Sequence, residues 1–186
     1  TSVALSSLET LGKNLFFDTN LSTPKGQSCA TCHAPETGFT GPRSDINAAG
    51  SVFPGAIATR FGNRKPPSAA YATQSPLFHF DTTDGLFLGG NFWDGRATGE
   101  ILGNPAADQA LGPFLNPVEM NMASAQALCD TVAAASYATL FNDAFPYVTK
   151  PIDCTNDVTG TYHRIGLAIA AFEASREVNA FTSKYD

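Results

Sequence analysis

Charge is scarce in this chain of 186 residues. Only 15% of it is Asp, Glu, Lys or Arg, and 17 acidic residues outweigh 11 basic ones for a net charge of -6. Such a surface excludes nucleic acid as a partner, because phosphate binding requires basic patches. Long apolar runs are lacking as well. The most apolar stretch, Ile165 to Phe172, is about two helical turns, far short of the roughly 20 residues that cross a bilayer. Thr1 to Leu8 has neither a basic start nor an apolar segment, so any secretory signal is expected to have been removed already. No internal repeat or low-complexity segment occurs. What the chain does have is hydrophobic material, 43% of the residues with 11% aromatic, which excludes disorder and coiled coil and suffices for the core of one domain.

Helical periodicity is concentrated at the two ends. Leu5, Leu8, Leu11, Leu15 and Phe16 recur at three- and four-residue spacing behind Ser6 or Ser7 as N-cap, predicting a first amphipathic helix. Ser124 is placed to cap a helix over residues 125–135, and a shorter one over 137–145 is ended by Pro146. A last helix begins after Thr161, with Ile165, Leu167, Ile169, Phe172, Val178 and Phe181 on its apolar face and Arg164, Glu173, Arg176 and Glu177 mostly off it. Between these ends, residues 34–92 show neither period. So long an irregular stretch, carrying Phe53, Phe61, Tyr71, Phe78, Phe80, Phe87 and Phe92, is expected to wrap a large apolar cofactor.

Cys29, Ala30, Thr31, Cys32 and His33 spell C-x-x-C-H, the signature of covalent haem attachment. Two thiols three positions apart can each form a thioether to a vinyl group, and the His that follows becomes the proximal iron ligand. A zinc site would need a second Cys or His pair, and a redox dithiol a thioredoxin-like alternation of strands and helices; the sequence has neither. One covalently bound haem c is therefore expected, in an all-α, cytochrome c-like domain with long irregular loops that occupies residues 1–186. Covalent haem also implies export to the bacterial periplasm, where Cys129 and Cys154 are free to pair; the alternative is two separate buried thiols.

Beyond the haem motif, four stretches resemble the bacterial di-haem cytochrome c peroxidases and their MauG-type relatives: LGKNLFFD at 11–18, SCATCHAPETGFT at 28–40, FWDGRA at 92–97 and QALGPFLNPVEM at 109–120. The closing FTSKYD at 181–186 is similar too. The resemblance implies the family's N-terminal, peroxide-reacting haem domain. Only one C-x-x-C-H is present, so the chain is expected to be either a fragment of a larger protein whose second haem domain lies outside it, or a stand-alone one-haem relative. By motif, Glu119 matches the distal acid and base that moves a proton between the peroxide oxygens, Gln109 and Pro113 match distal-pocket positions, and Trp93 matches the aromatic between two haems. Arg96 or Arg64 could pair with a haem propionate.

Each role has a plainer counterpart. Asn116, Pro117 and Glu119 also suit the start of a helix, with Asn as N-cap, Pro at N1 and Glu at N3, and a single Trp is commonly a core residue. The chain departs from the family pattern in lacking a His between Ala48 and Pro67, in an extended segment 98–108, and in missing the Asn of the interdomain calcium site. No iron-capping switch and no calcium are expected. Three readings of function follow. The resemblance implies an oxidoreductase of the cytochrome c peroxidase type, or a fragment of one, reducing hydrogen peroxide with electrons from another haem, on a second domain or a partner cytochrome. A mono-haem electron carrier with Met120 or Met122 on the iron is the first alternative. MauG-like oxidation of a protein partner is the second. His79 and His163 are the remaining histidines, the first expected in a hydrogen-bonded packing role with a sixth iron ligand as the alternative, and the second expected at an exposed helix start.

Overall fold

A computed structural model describes residues 4–182 and 184. Part of the FTSKYD segment therefore lies outside the described residues. The architecture is helix-rich, with helices α1 (Ser7–Phe17), α2 (Cys29–Cys32), α3 (Ser44–Ala48), α4 (Pro105–Leu115), α5 (Ala125–Ala133), α6 (Leu140–Ala144) and α7 (Val158–Ala174). The expectation of a purely helical domain needs one correction. Strands β1 (His79–Asp81) and β2 (Leu86–Leu88) form an antiparallel hairpin that pairs Phe80 with Phe87.

Helices α1 and α7 make the frame. Ser6 starts α1 with a full capping box, its hydroxyl accepting from the Glu9 N–H while the Glu9 carboxylate accepts from the Ser6 N–H, so two orphan donors are satisfied at once. Asp157 starts α7, accepting from the Gly160 N–H. The two helices cross at Gly12, where a Cβ would overlap the Ala168 carbonyl and crowd Phe172. This lets Leu11, Leu15 and Phe16 meet Ile165, Ile169 and Phe172 in the core. Phe16 and Phe172 pack at 5.3 Å between ring centroids. A fully buried Phe of this kind contributes about 1.5–3 kcal/mol.

Helix α4 was not anticipated, and its placement overturns the reading of 116–119 as a helix start. Asn104 is the N-cap, accepting from the Ala106 N–H at 2.9 Å, and Pro105 follows at the first helical position. Asn116 ends α4 and residues 117–120 form a turn. Gly166 lets α7 approach the Ala107 carbonyl and Leu111 closely, and the Tyr162 hydroxyl donates to the Leu111 carbonyl. Thus α4 is fixed to α7.

Other boundaries differ in smaller ways. Helix α5 starts as expected under Ser124, which accepts from the Ala127 N–H. Helix α7 begins before Thr161 and stops at Ala174, so Val178 and Phe181 lie beyond it and His163 is within it. Glu173 is not off the apolar face: it is 5% exposed. Cys129 and Cys154 are joined in a disulfide that ties α5 to the loop before α7.

Candidate functional site: a haem cleft

The Cys pair and the C-terminal helix meet in one cleft of about 280 Å³. One wall is the single turn α2. Spacing i, i+3 on that turn puts Cys29 and Cys32 on the same side, and His33 follows directly, its N–H donating to the Cys29 carbonyl at 2.9 Å. The turn is closed by Thr31, whose hydroxyl accepts from the Ser28 N–H at 3.0 Å. Burial, with Glu173 adding to it, pushes the Cys29 thiol up to about 12, and burial with Glu119 raises Cys32 to about 11. Neither is a reactive thiolate of the redox-dithiol kind. No group of three or more His, Cys, Asp or Glu side chains suited to a metal ion exists among the described residues, so the zinc alternative finds no ligand set.

His33 is oriented by a loop that doubles back on it. Ala34 and Thr40 bridge across the turn Pro35–Thr37, and Phe39 takes a left-handed conformation, φ 58°. For a bulky residue that costs on the order of 1–3 kcal/mol. It turns the Phe39 carbonyl onto Nδ1 of His33 at 3.1 Å, while the Phe39 ring packs edge-on to Phe16. An acceptor at Nδ1 places the proton there and the lone pair on Nε2, while the Pro67 carbonyl also bears on the ring. Burial lowers the His33 pKa, so the ring is held neutral, the form in which it ligates.

The facing wall comes from α4 and the turn after it. Gln109 and Pro113 are one turn apart and both line the cleft, with Ala110 beside them. Glu119 follows on the turn. Its Oε1 accepts from the Asn116 side-chain amide at 2.9 Å, and burial raises its pKa against the opposing effects of Arg96 and Asn116. Three hydrogen bonds hold this turn: Ala56 N–H donates to the Glu119 carbonyl at 2.7 Å, Thr23 N–H to the Met120 carbonyl at 2.9 Å, and the Asn121 side-chain amide to the Thr23 carbonyl at 2.7 Å. The loop leading into the Cys pair is therefore zipped to the turn that carries the acid.

Trp93 lies at the mouth. It lines the cleft yet is 65% exposed, so the core reading fails, and its indole N–H donates to the Lys65 carbonyl at 3.0 Å. Arg64 and Arg96 both pair with Asp94 at 2.9 Å, and the Arg96 guanidinium lies 3.9 Å over the Phe92 ring. Of the candidate sixth ligands, Met120 lines the cleft and is buried. Met122 does not; its sulfur accepts from the Thr23 hydroxyl at 3.5 Å. His79 is exposed on the hairpin, bonded to the Leu77 carbonyl.

The aromatics of 34–92 do not wrap the cleft as expected. Phe92 alone among those named lines it; Pro67, Ser68, Ala69, Ala72 and Asn91 supply the rest of that side. Phe78, Phe80 and Phe87 instead cluster on the hairpin, with Phe78 and Phe87 stacked at 5.4 Å. Sequence reasoning also missed Glu173, which lines the cleft from α7 with a carboxyl that burial pushes up to about 8. Its place in the cleft follows from Ile169 one turn earlier on the same face.

These donors fit a covalently held haem: two unpaired thiols on one turn, an imidazole directly after them whose Nδ1 is held by a backbone carbonyl, and a cleft that they line together with α4. Comparison with known proteins agrees. The family described as di-haem cytochrome c peroxidase matches residues 6–186. Methylamine utilization protein MauG of Paracoccus denitrificans is 38% identical over 96% of this chain and 43% of its own. Cytochrome c551 peroxidase of Pseudomonas aeruginosa is 33% identical over 89% of this chain and 38% of its own. The crystal structure of the diheme peroxidase BthA from Burkholderia thailandensis superposes with a TM-score of 0.80 at 33% identity, covering 96% of this chain and 41% of that one. The chain thus spans about two fifths of the length of these relatives, and it belongs to the di-haem cytochrome c peroxidase family.

Proposed function

We propose that residues 1–186 form one c-type haem domain that reacts with hydrogen peroxide, with Glu119 as its proton-transferring group, in an exported, periplasmic protein. The observation that carries this reading is the position of Glu119. A carboxyl of raised pKa lines the same cleft as Cys29, Cys32 and His33, where it would exchange a proton with a molecule held beside the haem.

Haem, when bound through Cys29 and Cys32, supplies an iron at which peroxide can be reduced. The chain's own residues do the rest. His33 offers Nε2 because Phe39 occupies Nδ1. Glu119 takes a proton from one peroxide oxygen and returns it to the other, and Asn116 fixes its Oε1 for both steps. Gln109 supplies an amide on the same wall, while Pro113 and Ala110 keep that wall apolar and limit water. Trp93 gives an aromatic path from the cleft to the surface for electrons from another haem, on a partner cytochrome or a second haem domain. Arg96, beside the mouth, is available to a propionate.

A second reading has its own observation: the buried sulfur of Met120 lines the same cleft, as a His/Met electron carrier would require. Oxidation of a protein partner, the reading that likeness to MauG brings, uses the same pocket. Optical and EPR spectra of the ferric holoprotein separate the first two. A high-spin spectrum that changes on adding peroxide, at a rate that falls about 100-fold or more in Glu119→Gln, supports the proposal; that loss is the usual size for one acid–base group. A low-spin His/Met spectrum indifferent to peroxide would sink it.

A further inference from the structure

Glu173 is not used by the chemistry above, and its surroundings are unusual. It lies in the last turn of α7, is 95% removed from solvent by its 5% exposure, and lines the haem cleft. Among the described residues no side-chain or backbone donor reaches its carboxyl oxygens; the Asn179 amide bonds the Glu173 main-chain carbonyl instead. An isolated ionised carboxylate at such a place costs far more than a hydrogen-bonded one, so the group stays neutral or gains a partner that the chain does not provide. The cleft is the direction in which such a partner lies.

We propose that Glu173 is a proton-holding residue of the haem cleft whose protonation is coupled to the oxidation state of the iron carried by His33. A negative carboxylate beside the cleft favours the ferric over the ferrous charge, and by reciprocity reduction of the iron raises the affinity of Glu173 for its proton. The balance is simple: one electron enters from an external one-electron donor, one proton enters from solvent, and the O–H bond of the carboxyl is the only bond formed. Oxidation reverses each term.

The titratable groups around it are few. Helix α2 presents Cys29 and Cys32, which cease to titrate once they are thioethers, and His33 stands behind them. Glu119 faces the cleft with Arg96 near it. From α1, Lys13 is tied to Glu177 at 2.5 Å near the surface, and Arg176 and Glu177 beside it on the chain are exposed. Helix α4 presents Gln109, Ala110 and Pro113, none of which titrates in water. Of the chain's own side chains, Glu119 and Glu173 therefore remain as proton sites of the cleft, beside the two propionates that a bound haem brings.

The inference rests on haem attachment and not on reaction with peroxide, so the two can fail separately. The test is the midpoint potential of the holoprotein, measured by spectroelectrochemistry between about pH 6 and 10, for wild type, Glu173→Gln and Glu119→Gln, with the haem spectrum confirming loading. The wild-type potential is expected to fall as pH rises through the ionisation of Glu173, within that range. That fall should persist in E119Q and vanish in E173Q. A flat wild-type curve, or a fall that survives E173Q, overturns the inference. Should E173Q fail to take haem, reduced-minus-oxidised infrared difference spectra of wild type and E119Q decide instead. A deuterium-sensitive carboxylic carbonyl signal present in both and shifted in Glu173→Asp supports the coupling, and its absence, or a signal unmoved in Glu173→Asp, overturns it.

Discussion

Replacing Gly12 by Ala tests whether the crossing of α1 and α7 sets the haem cleft. An added methyl meets backbone, the Ala168 carbonyl, before it meets the Phe172 Cβ, so no rotamer change can relieve the overlap. The helices must separate, and overpacking of that kind costs roughly 1–3 kcal/mol. Ala in place of Gly returns about 1 kcal/mol of helix propensity, leaving a net loss of up to about 2 kcal/mol. Gly112 in α4 is the internal control, because a Cβ there meets only the Phe92 ring edge at 3.4 Å. Gly112→Ala should therefore keep the propensity gain and stabilise by about 0.5–1 kcal/mol. Urea denaturation of the two holoproteins, followed by Trp93 fluorescence and far-UV circular dichroism, gives both values. Because Phe16, Ile169 and Glu173 reach the cleft from α1 and α7, G12A should also broaden or shift the haem spectrum while G112A leaves it unchanged. Equal stability of the two variants, or a gain in G12A, would refute the close crossing as the element that positions the site.

Further outcomes follow from other contacts. Changing Cys129 and Cys154 together to Ser opens a loop with a sequence separation of 25, and chain entropy places the loss at about 3 kcal/mol, readable as a lower urea midpoint with little change in the haem spectrum. Asp94 is held down to about 2 by Arg64 and then by the Arg96 contacts. A depressed carboxyl contributes stability above its unfolded value, near 3.8, and loses it as pH falls through the folded one. Wild type should therefore lose thermal stability between about pH 4 and 2 more steeply than Asp94→Asn. Phe39→Gly removes the backbone strain but also the Phe16 contact; with the carbonyl retained, His33 should keep its ligand role, seen as an unchanged proximal signature in the EPR spectrum.

Much of this arrangement was legible where local chemistry is strong. The C-x-x-C-H run and the Ser6 and Ser124 caps are each written in consecutive residues. Helix α4 was hidden because PAADQALGPFL is rich in Ala and contains Gly112 and Pro113, which weaken any apolar stripe. Its signal was nevertheless present in Asn104-Pro105, an N-cap followed by Pro at the first helical position. The same chemistry one element later, at Asn116-Pro117, misled because a helix had just ended there. The hairpin escaped because its strands are three residues each and nearly every strand side chain is exposed, so no alternation of burial marks it. Glu173 was unreadable for a different reason. A charged residue in an amphipathic pattern is assigned to the solvent face by default, and only the position of the cleft beside α7 reverses that assignment.

The four cysteines need opposite treatment while the protein is being made. Cys29 and Cys32 are of use to a haem only as thiols, whereas Cys129 and Cys154 end joined. In an oxidising compartment a newly arrived chain meets the first pair before the second, and the oxidation that secures α5 would, applied to α2, block both thioether bonds. Correct assembly of this fold is thus a matter of sequence in time. If the chain is exported and takes haem as proposed, haem delivery, or a reductant that protects the first pair, has to come before general oxidation.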